Sequence, residues 1–385
     1  MALGLSGRNS GTRWMHNDLQ EGGISDMRNL MVCGIACSCV LAMLSGCLKN
    51  TGQPWSTKAE SSSQSPIGRG RTPMPSVDQV SAIDVPEDLH EAAIDVLLQA
   101  AESTNGLLRA NAIEALHHAP AQLEPVVRRG VVDENRGVRF VAAMTIGNFR
   151  MEQLAHLLEP LLSDESLSVQ ASAIFGLKRC GQRVDPTPLS AMIVSDDPEV
   201  RANAALVLGE LGDPSAAPMI RQAVGKGMRR ANEARVRMVN LQLAEAMVKL
   251  GLESEIEVIR AALFAPPDQG EIVALACMIC GRLKDQRVVA NLIRLARRPG
   301  RFQQPAEVRM AATWALARID PSRATIDVPM EYIRIEQYQL RAQAALTLGE
   351  VADPAALPTL ATMLHDPNPL VQVAAASAIL QVQQP

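Results

Sequence analysis

Residues 340–380 read LRAQAALTLGEVADPAALPTLATMLHDPNPLVQVAAASAIL, and residues 197–220 read DPEVRANAALVLGELGDPSAAPMI. Counted from Arg201 and Arg341 as anchors, the third residue on is small (Ala204, Ala344), the seventh apolar (Leu208, Leu348) and the eighth glycine (Gly209, Gly349). At 100° per residue the anchor, third and seventh positions share one helix face. Each helix must stop at Gly212-Asp213-Pro214 or Ala352-Asp353-Pro354, where Asp caps a second helix and Pro takes its first position. The product is a helix hairpin that cannot bury its apolar face alone, so stacking is required.

The pattern extends outward in both directions. Anchors fall at Arg109, Arg139, Gln170, Arg201, Val273, Arg309, Arg341 and Gln372, mostly 30 to 36 residues apart. The wide gap from Arg201 to Val273 holds one more unit, around Val239 to Gly251, whose register the spacing leaves open. Asn105, Asn135, Ser166, Asp197 and Asn368 stand four residues before anchors and are N-cap types. A glycine inside a helix costs about 1 kcal/mol relative to alanine. Gly147, Gly209, Gly281 and Gly349 therefore imply a neighbouring helix too close for a Cβ. The fold expected is all-α: an α-solenoid of about nine stacked hairpins running from residue 83 to 385.

These phrases resemble HEAT repeats of the short, bacterial bilin-lyase-like type. The resemblance implies that the Val-Arg anchor closes the first helix onto the preceding turn, with Asp and Arg forming a ladder along the stack. Arg109, Arg139, Arg201, Arg309 and Arg341 match that pattern; Gln170, Val273 and Gln372 do not, so the ladder should be interrupted there. It also implies a long concave groove, which in bilin lyases holds a tetrapyrrole.

Composition narrows the function. Hydrophobic residues make up 47% of the chain but aromatic ones only 3%, which argues against a stacking platform for bases or sugars. Lys plus Arg number 37 against 41 Asp plus Glu, a net charge of −4, so no electrostatic case for nucleic acid exists.

Residues 27–47, MRNLMVCGIACSCVLAMLSGC, have the layout of a secretory signal: a basic start at Arg28, an apolar run, then small residues before a cysteine. Leu44-Ser45-Gly46-Cys47 resembles the lipobox of bacterial lipoproteins, in which the Cys carries lipid and becomes residue one. On that reading 1–26 is an overextended start or a disordered extension, 27–46 a signal peptide, and 47–82 the lipidated Cys47 with a Ser/Pro/Gly-rich tether. Such a tether spans on the order of 30 Å. The expected location is the periplasmic side of the cell envelope, with the outer membrane favoured because Leu48 rather than Asp follows Cys47.

Motifs for chemistry are sparse. Cys277 and Cys280 form a C-x-x-C in repeat register with core positions, and no nearby His or Cys completes a zinc set. Only His90-Glu91 resembles the His-Glu pairs of deoxyhypusine hydroxylase, a HEAT-type metalloenzyme, so that activity is not expected. No catalytic residue, metal or cofactor is assigned, and Trp314, Tyr332 and Tyr338 are the aromatic candidates for the alternative, a cofactor-handling accessory enzyme.

The departures from the repeat are more informative. Arg128, Arg129 and Arg136, then Arg229, Arg230, Arg235 and Arg237, then Arg294, Arg297, Arg298 and Arg301 cluster in or beside connections between units. Stacking would set them along one rim, a candidate strip for an envelope protein or acidic polymer. The reading is a lipid-anchored, non-enzymatic interaction scaffold. The last helix, from Pro369 to Gln381, has no following helix to cap it, and its Ala-rich side could pair with another copy.

Overall fold

The computed structural model describes residues 87–229, 231–297 and 303–383. Among them every regular element is helical, and none is long and apolar enough to cross a membrane. The signal sequence, Cys47 and the tether lie outside the described residues, as do Arg230, Arg298 and Arg301.

The opening helix α1 (Glu87–Ala101) precedes the first anchor-bearing helix, α2 (Gly106–Ala115). The other anchor-bearing helices are α4 (Arg136–Asn148), α5 (Leu167–Arg179), α7 (Pro198–Leu211), α9 (Glu233–Lys249), α11 (Gly270–Arg282), α13 (Ala306–Ile319), α15 (Tyr338–Val351) and α17 (Pro369–Val382). Between them run the shorter second helices: α3 (Pro120–Gly130), α6 (Pro188–Met192), α8 (Ala217–Ala223), α10 (Ile256–Ala262), α12 (Val289–Arg297), α14 (Asp327–Met330) and α16 (Leu357–Met363). In the second unit that place is taken by two 3₁₀ segments, Glu152–Leu158 and Pro160–Ser163.

Capping follows the sequence closely. Asn105, Asn135, Asp197 and Asn368 each accept a backbone N–H from the first turn they precede, whereas Ser166 makes no such bond. α7 ends on Gly212 at φ 69°, and α15 ends the same way on Ala352 at φ 56°. The latter places a Cβ in the left-handed region, where glycine is favoured.

The glycine inference is answered atom by atom. A Cβ on Gly349 would lie 2.7 Å from the Ala378 Cα, on Gly281 3.0 Å from Ala315, on Gly209 3.0 Å from Ala246 and on Gly147 2.9 Å from Gly176. In three of these cases the partner stands six residues after its own anchor (Gly176, Ala315, Ala378). The fourth, Ala246, therefore fixes the register the sequence left open: Asn240 is the fifth anchor, and α9 carries an extra turn at its start. The glycines also fall on alternate helices. α4–α5, α7–α9, α11–α13 and α15–α17 are tight pairs, while the seams between pairs have Lys178, Val248 or Ala317 in the glycine's position.

The array does not end at α17. Among the described residues, α17 packs against α15 on one side and against α1 and α2 on the other, and residues from both chain ends join one apolar core. The described residues therefore form a closed ring of nine hairpins in which α1, first among them, supplies the second helix that α17 lacks. This corrects the expectation of an open C-terminal edge for self-association: Ala374, Ala375, Ala376 and Ala378 are at most 1% exposed within the chain itself.

Candidate functional site

The anchors build a ladder with a simple rule. Arg109 donates from Nε and Nη2 to the carboxylate of Asp133 (2.7 and 2.6 Å), and the Asp133 carbonyl accepts from Nη1 of the next anchor, Arg139 (2.8 Å). Arg139 grips Asp164 (2.7 and 2.9 Å), whose carbonyl accepts from Nε2 of Gln170 (2.6 Å). Arg341, Asp366 and Gln372 repeat the arrangement. Gln170 and Gln372 thus keep the chain of hydrogen bonds and end only its charge. Arg201 bonds the carbonyls of Ser195 and Lys226, and Arg309 takes Glu331 with the Tyr332 hydroxyl. The acid six residues before an anchor was a sequence signal that went unused: Asp133, Asp164 and Asp366 follow an Arg anchor, and Ser195 follows Gln170.

The second, fifth and ninth residues after each anchor point to the ring's interior. A small cavity of about 30 Å³ is lined together by Asn111 of α2, Trp314 of α13, Glu350 of α15 and Ser377 of α17. Helices three places apart around the ring share it, so these faces are inner ones. At the second position Asn111, Val141, Ser172, Asn203, Leu275, Ala311, Gln343 and Ala374 are nearly or fully buried, and Gln242 is half-buried. The expected open concave groove is thus shut from solvent at this level. Such a cavity suits a water, not an organic ligand. Trp314 is packed beneath the Arg318 guanidinium at 4.9 Å, Tyr332 is tied to Arg309, and Tyr338 sits half-buried at the start of α15, so the three aromatics form no common site.

At one mouth of the ring lies a buried polar cluster. Asn203 Nδ2 donates to Ser168 Oγ (3.0 Å), Ser168 donates to Glu199 Oε1 (3.4 Å), and Arg136 reaches Glu199 Oε2 at 3.4 Å. Burial pushes the Glu199 carboxyl up despite Arg136, and lowers Arg235 to about 10 against the pull of Glu199, Asp197 and Glu271. Arg136 and Arg235, both half-buried, are thus engaged by this carboxylate cluster and are not free members of the basic strip on which the sequence grouped them.

At the other mouth ninth-position side chains form ion pairs with acids on their own or neighbouring helices. Burial opposes ionisation of Glu245, but Arg282 and Lys249 overcome it and hold its carboxyl at about 2. Arg282 grips that carboxylate at 2.6 Å, and Lys249 bonds both Glu245 (2.9 Å) and Glu210 (2.7 Å). Arg318 meets Glu350 at 3.0 Å, and Glu350 also accepts from Gln381.

Arg128, Arg129 and Arg297 stand in the last turns of second helices, and Arg229 in the connection before α9. They are not a bare basic strip. Arg128 pairs with Glu124, Arg129 with Glu102 and Arg229 with Asp196, while Arg297 donates to the Arg323 carbonyl. Glu134 and Glu165, more than 85% exposed, stand on the same rim. What the sequence reading missed is apolar: Val132, Val194, Val224 and Phe264 are exposed in connections between units, with Arg294 stacked over Phe264.

Cys180, Cys277 and Cys280 are free and buried, and burial raises all three thiols, Cys280 to about 12. Among the described residues no three His, Cys, Asp or Glu side chains are grouped to hold a metal.

Comparison with known proteins adds a family and fold-level neighbours. No curated protein matches the chain. Human deoxyhypusine hydroxylase in complex with glycerol is 15% identical over 77% of this chain and 97% of its own, with a TM-score of 0.35. An engineered protein is 17% identical over 77% and 94%, at 0.30, and Kap121p is 13% identical over 77% and 42%, at 0.30. The family profile described as HEAT repeats matches residues 94–178, 154–239 and 326–385, together more than half of the chain. On that match, and with hairpins stacked through one recurring anchor, the chain belongs to the HEAT-repeat family.

Proposed function

We propose that this protein is a lipid-anchored, non-catalytic scaffold of the cell envelope that docks a partner protein on one rim of its ring. The observation that carries the reading is the composition of that rim. Val132, Val194, Val224 and Phe264 are exposed in connections that also carry or adjoin Arg128, Arg129, Arg229 and Arg294, while most second-position side chains of the inner face are buried. Apolar side chains interleaved with arginine are the chemistry of protein-interface hot spots. The alternating Arg and Glu suit a partner of mixed charge, and acidic polymers become the weaker option. Anchoring rests on the signal-like stretch from Met27 to Cys47, which puts the ring on the periplasmic side, with the outer membrane favoured.

The test is in-cell crosslinking and affinity capture of the tagged protein from membranes, beside Cys47→Ala and a rim variant combining Val132→Ser, Phe264→Ser, Arg229→Ser and Arg297→Ser. One envelope protein captured by the parent and lost in both variants is expected. Capture that survives the rim variant with unchanged helicity would sink the docking assignment.

A further inference from the structure

The seam between α5 and α7 differs from the others in a way that points to a ligand. At the α9–α11 seam the ninth-position cations Lys249 and Arg282 share Glu245, and at the α13–α15 seam Arg318 reaches Glu350. At the α5–α7 seam the equivalent cation is Arg179 and the equivalent acid Glu210, but Glu210 is held by Lys249 inside the next tight pair. The Nε of Arg179 is buried without an acceptor, as is that of Arg318, but Arg318 still pairs with Glu350 whereas Arg179 makes no ion pair among the described residues. Its neighbour Lys178 stands where tight pairs carry glycine, so the helices are not drawn together here. The result is an open cleft of about 720 Å³ between the third and fourth units.

Three cations line this cleft: Arg150, Lys178 and Arg179. The one carboxylate in its wall, Asp213, accepts the Ser215 N–H as an N-cap and feels the charge of Lys178, but no cation of the cleft forms an ion pair with it. Leu208, Leu211 and Met219 add apolar surface to the same wall. The volume falls within the range of sites for small organic ligands, and three cations against one carboxylate, in a wall that also carries apolar side chains, suit an anionic headgroup with a hydrocarbon arm. We propose that this cleft binds an amphiphilic organic anion, a phosphate or carboxylate bearing an apolar chain, headgroup on Lys178 and Arg179 and chain on Leu208, Leu211 and Met219. The site is separate from the docking rim and does not depend on it.

The experiment is isothermal titration of the full chain with dodecyl phosphate and dodecanoate below their micelle concentrations, against inorganic phosphate and a neutral dodecyl glycoside. Saturable binding at one site is expected, stronger for a dodecyl anion than for either control; the preferred anion separates phosphate from carboxylate. Lys178→Gln with Arg179→Gln should weaken it by about tenfold or more, the loss expected when charge-assisted hydrogen bonds are removed, with the circular dichroism unchanged. If that pair perturbs folding, Arg150→Gln, on an exposed turn, gives the same readout. Absence of saturable binding, equal affinity for the neutral glycoside, or binding indifferent to the variants would each overturn the proposal.

Discussion

His90 Nδ1 donates to the Oε1 of Gln383 at 3.0 Å, joining side chains 293 positions apart in the chain. The bond itself is exposed and of small energetic weight. Its significance is positional, since it marks where the last hairpin borrows its second helix from the start of the sequence.

If that borrowed helix closes the ring, weakening α1 must loosen α17. Leu97 is fully buried in α1, and Leu97→Ala should cost about 2–5 kcal/mol by chemical denaturation. Hydrogen exchange should rise in Pro369–Val382 more than in α7 or α9; a rise confined to α1 would mean the ends are not coupled.

Gly349→Ala should destabilise by about 1–3 kcal/mol, since the added methyl meets backbone 2.7 Å away and cannot be relieved by a rotamer change. Gly227→Ala, where a Cβ meets nothing within 4 Å, is the matched control and should be nearly neutral. Equal effects in thermal melts would remove the tight-pair explanation.

Two buried glutamates should respond to acid in opposite senses. Glu245 titrates below its unfolded value, so its contribution is complete above ordinary carboxylate pH and disappears as pH falls toward about 2. Glu245→Gln should cost about 3–5 kcal/mol at neutral pH, the range for breaking a buried pair, and flatten the acid limb of the stability curve. Glu199 titrates above its unfolded value, so its ionised form is a liability that is relieved as pH drops through the raised pKa. Glu199→Gln should not lower the melting temperature at neutral pH. Melting curves of both variants from pH 2 to 8 check the two signs.

The thiols give a chemical check on packing. With burial holding Cys180, Cys277 and Cys280 protonated, iodoacetamide at pH 8 should leave all three unmodified in the native protein and label them in guanidinium. Peptide mapping by mass spectrometry reads each site, and rapid native labelling of Cys277 or Cys280 would contradict their place in the core.

Much of this fold was legible because its determinants are local. The anchor, the small third residue, the Asn or Asp cap and the Asp-Pro turn each act within one hairpin, so Arg109 through Gln372 could be placed by counting. Ring closure was not legible, because it depends on the summed curvature of nine units and on the affinity of α1 for a helix at the far end. No residue in 87–101 announces that pairing. The fifth anchor, Asn240, was hidden by an extra turn that shifts α9 against its cap, and only the Gly209–Ala246 approach reveals it. The rim was half legible. Clustered arginines show in one dimension, but their engagement by Glu102, Asp196 and the Arg323 carbonyl is set by neighbouring turns, and exposure of Phe264 is a property of the assembled surface.

The alternation of glycines gives the molecule a mechanical grain. Couples of helices in backbone contact behave as stiff staves, and the joints between staves, where Lys178 or Val248 stands in place of glycine, are where the hoop can flex. Strain from an occupant on the outer edge would be taken up at those joints, changing the hoop's outline while each stave keeps its shape.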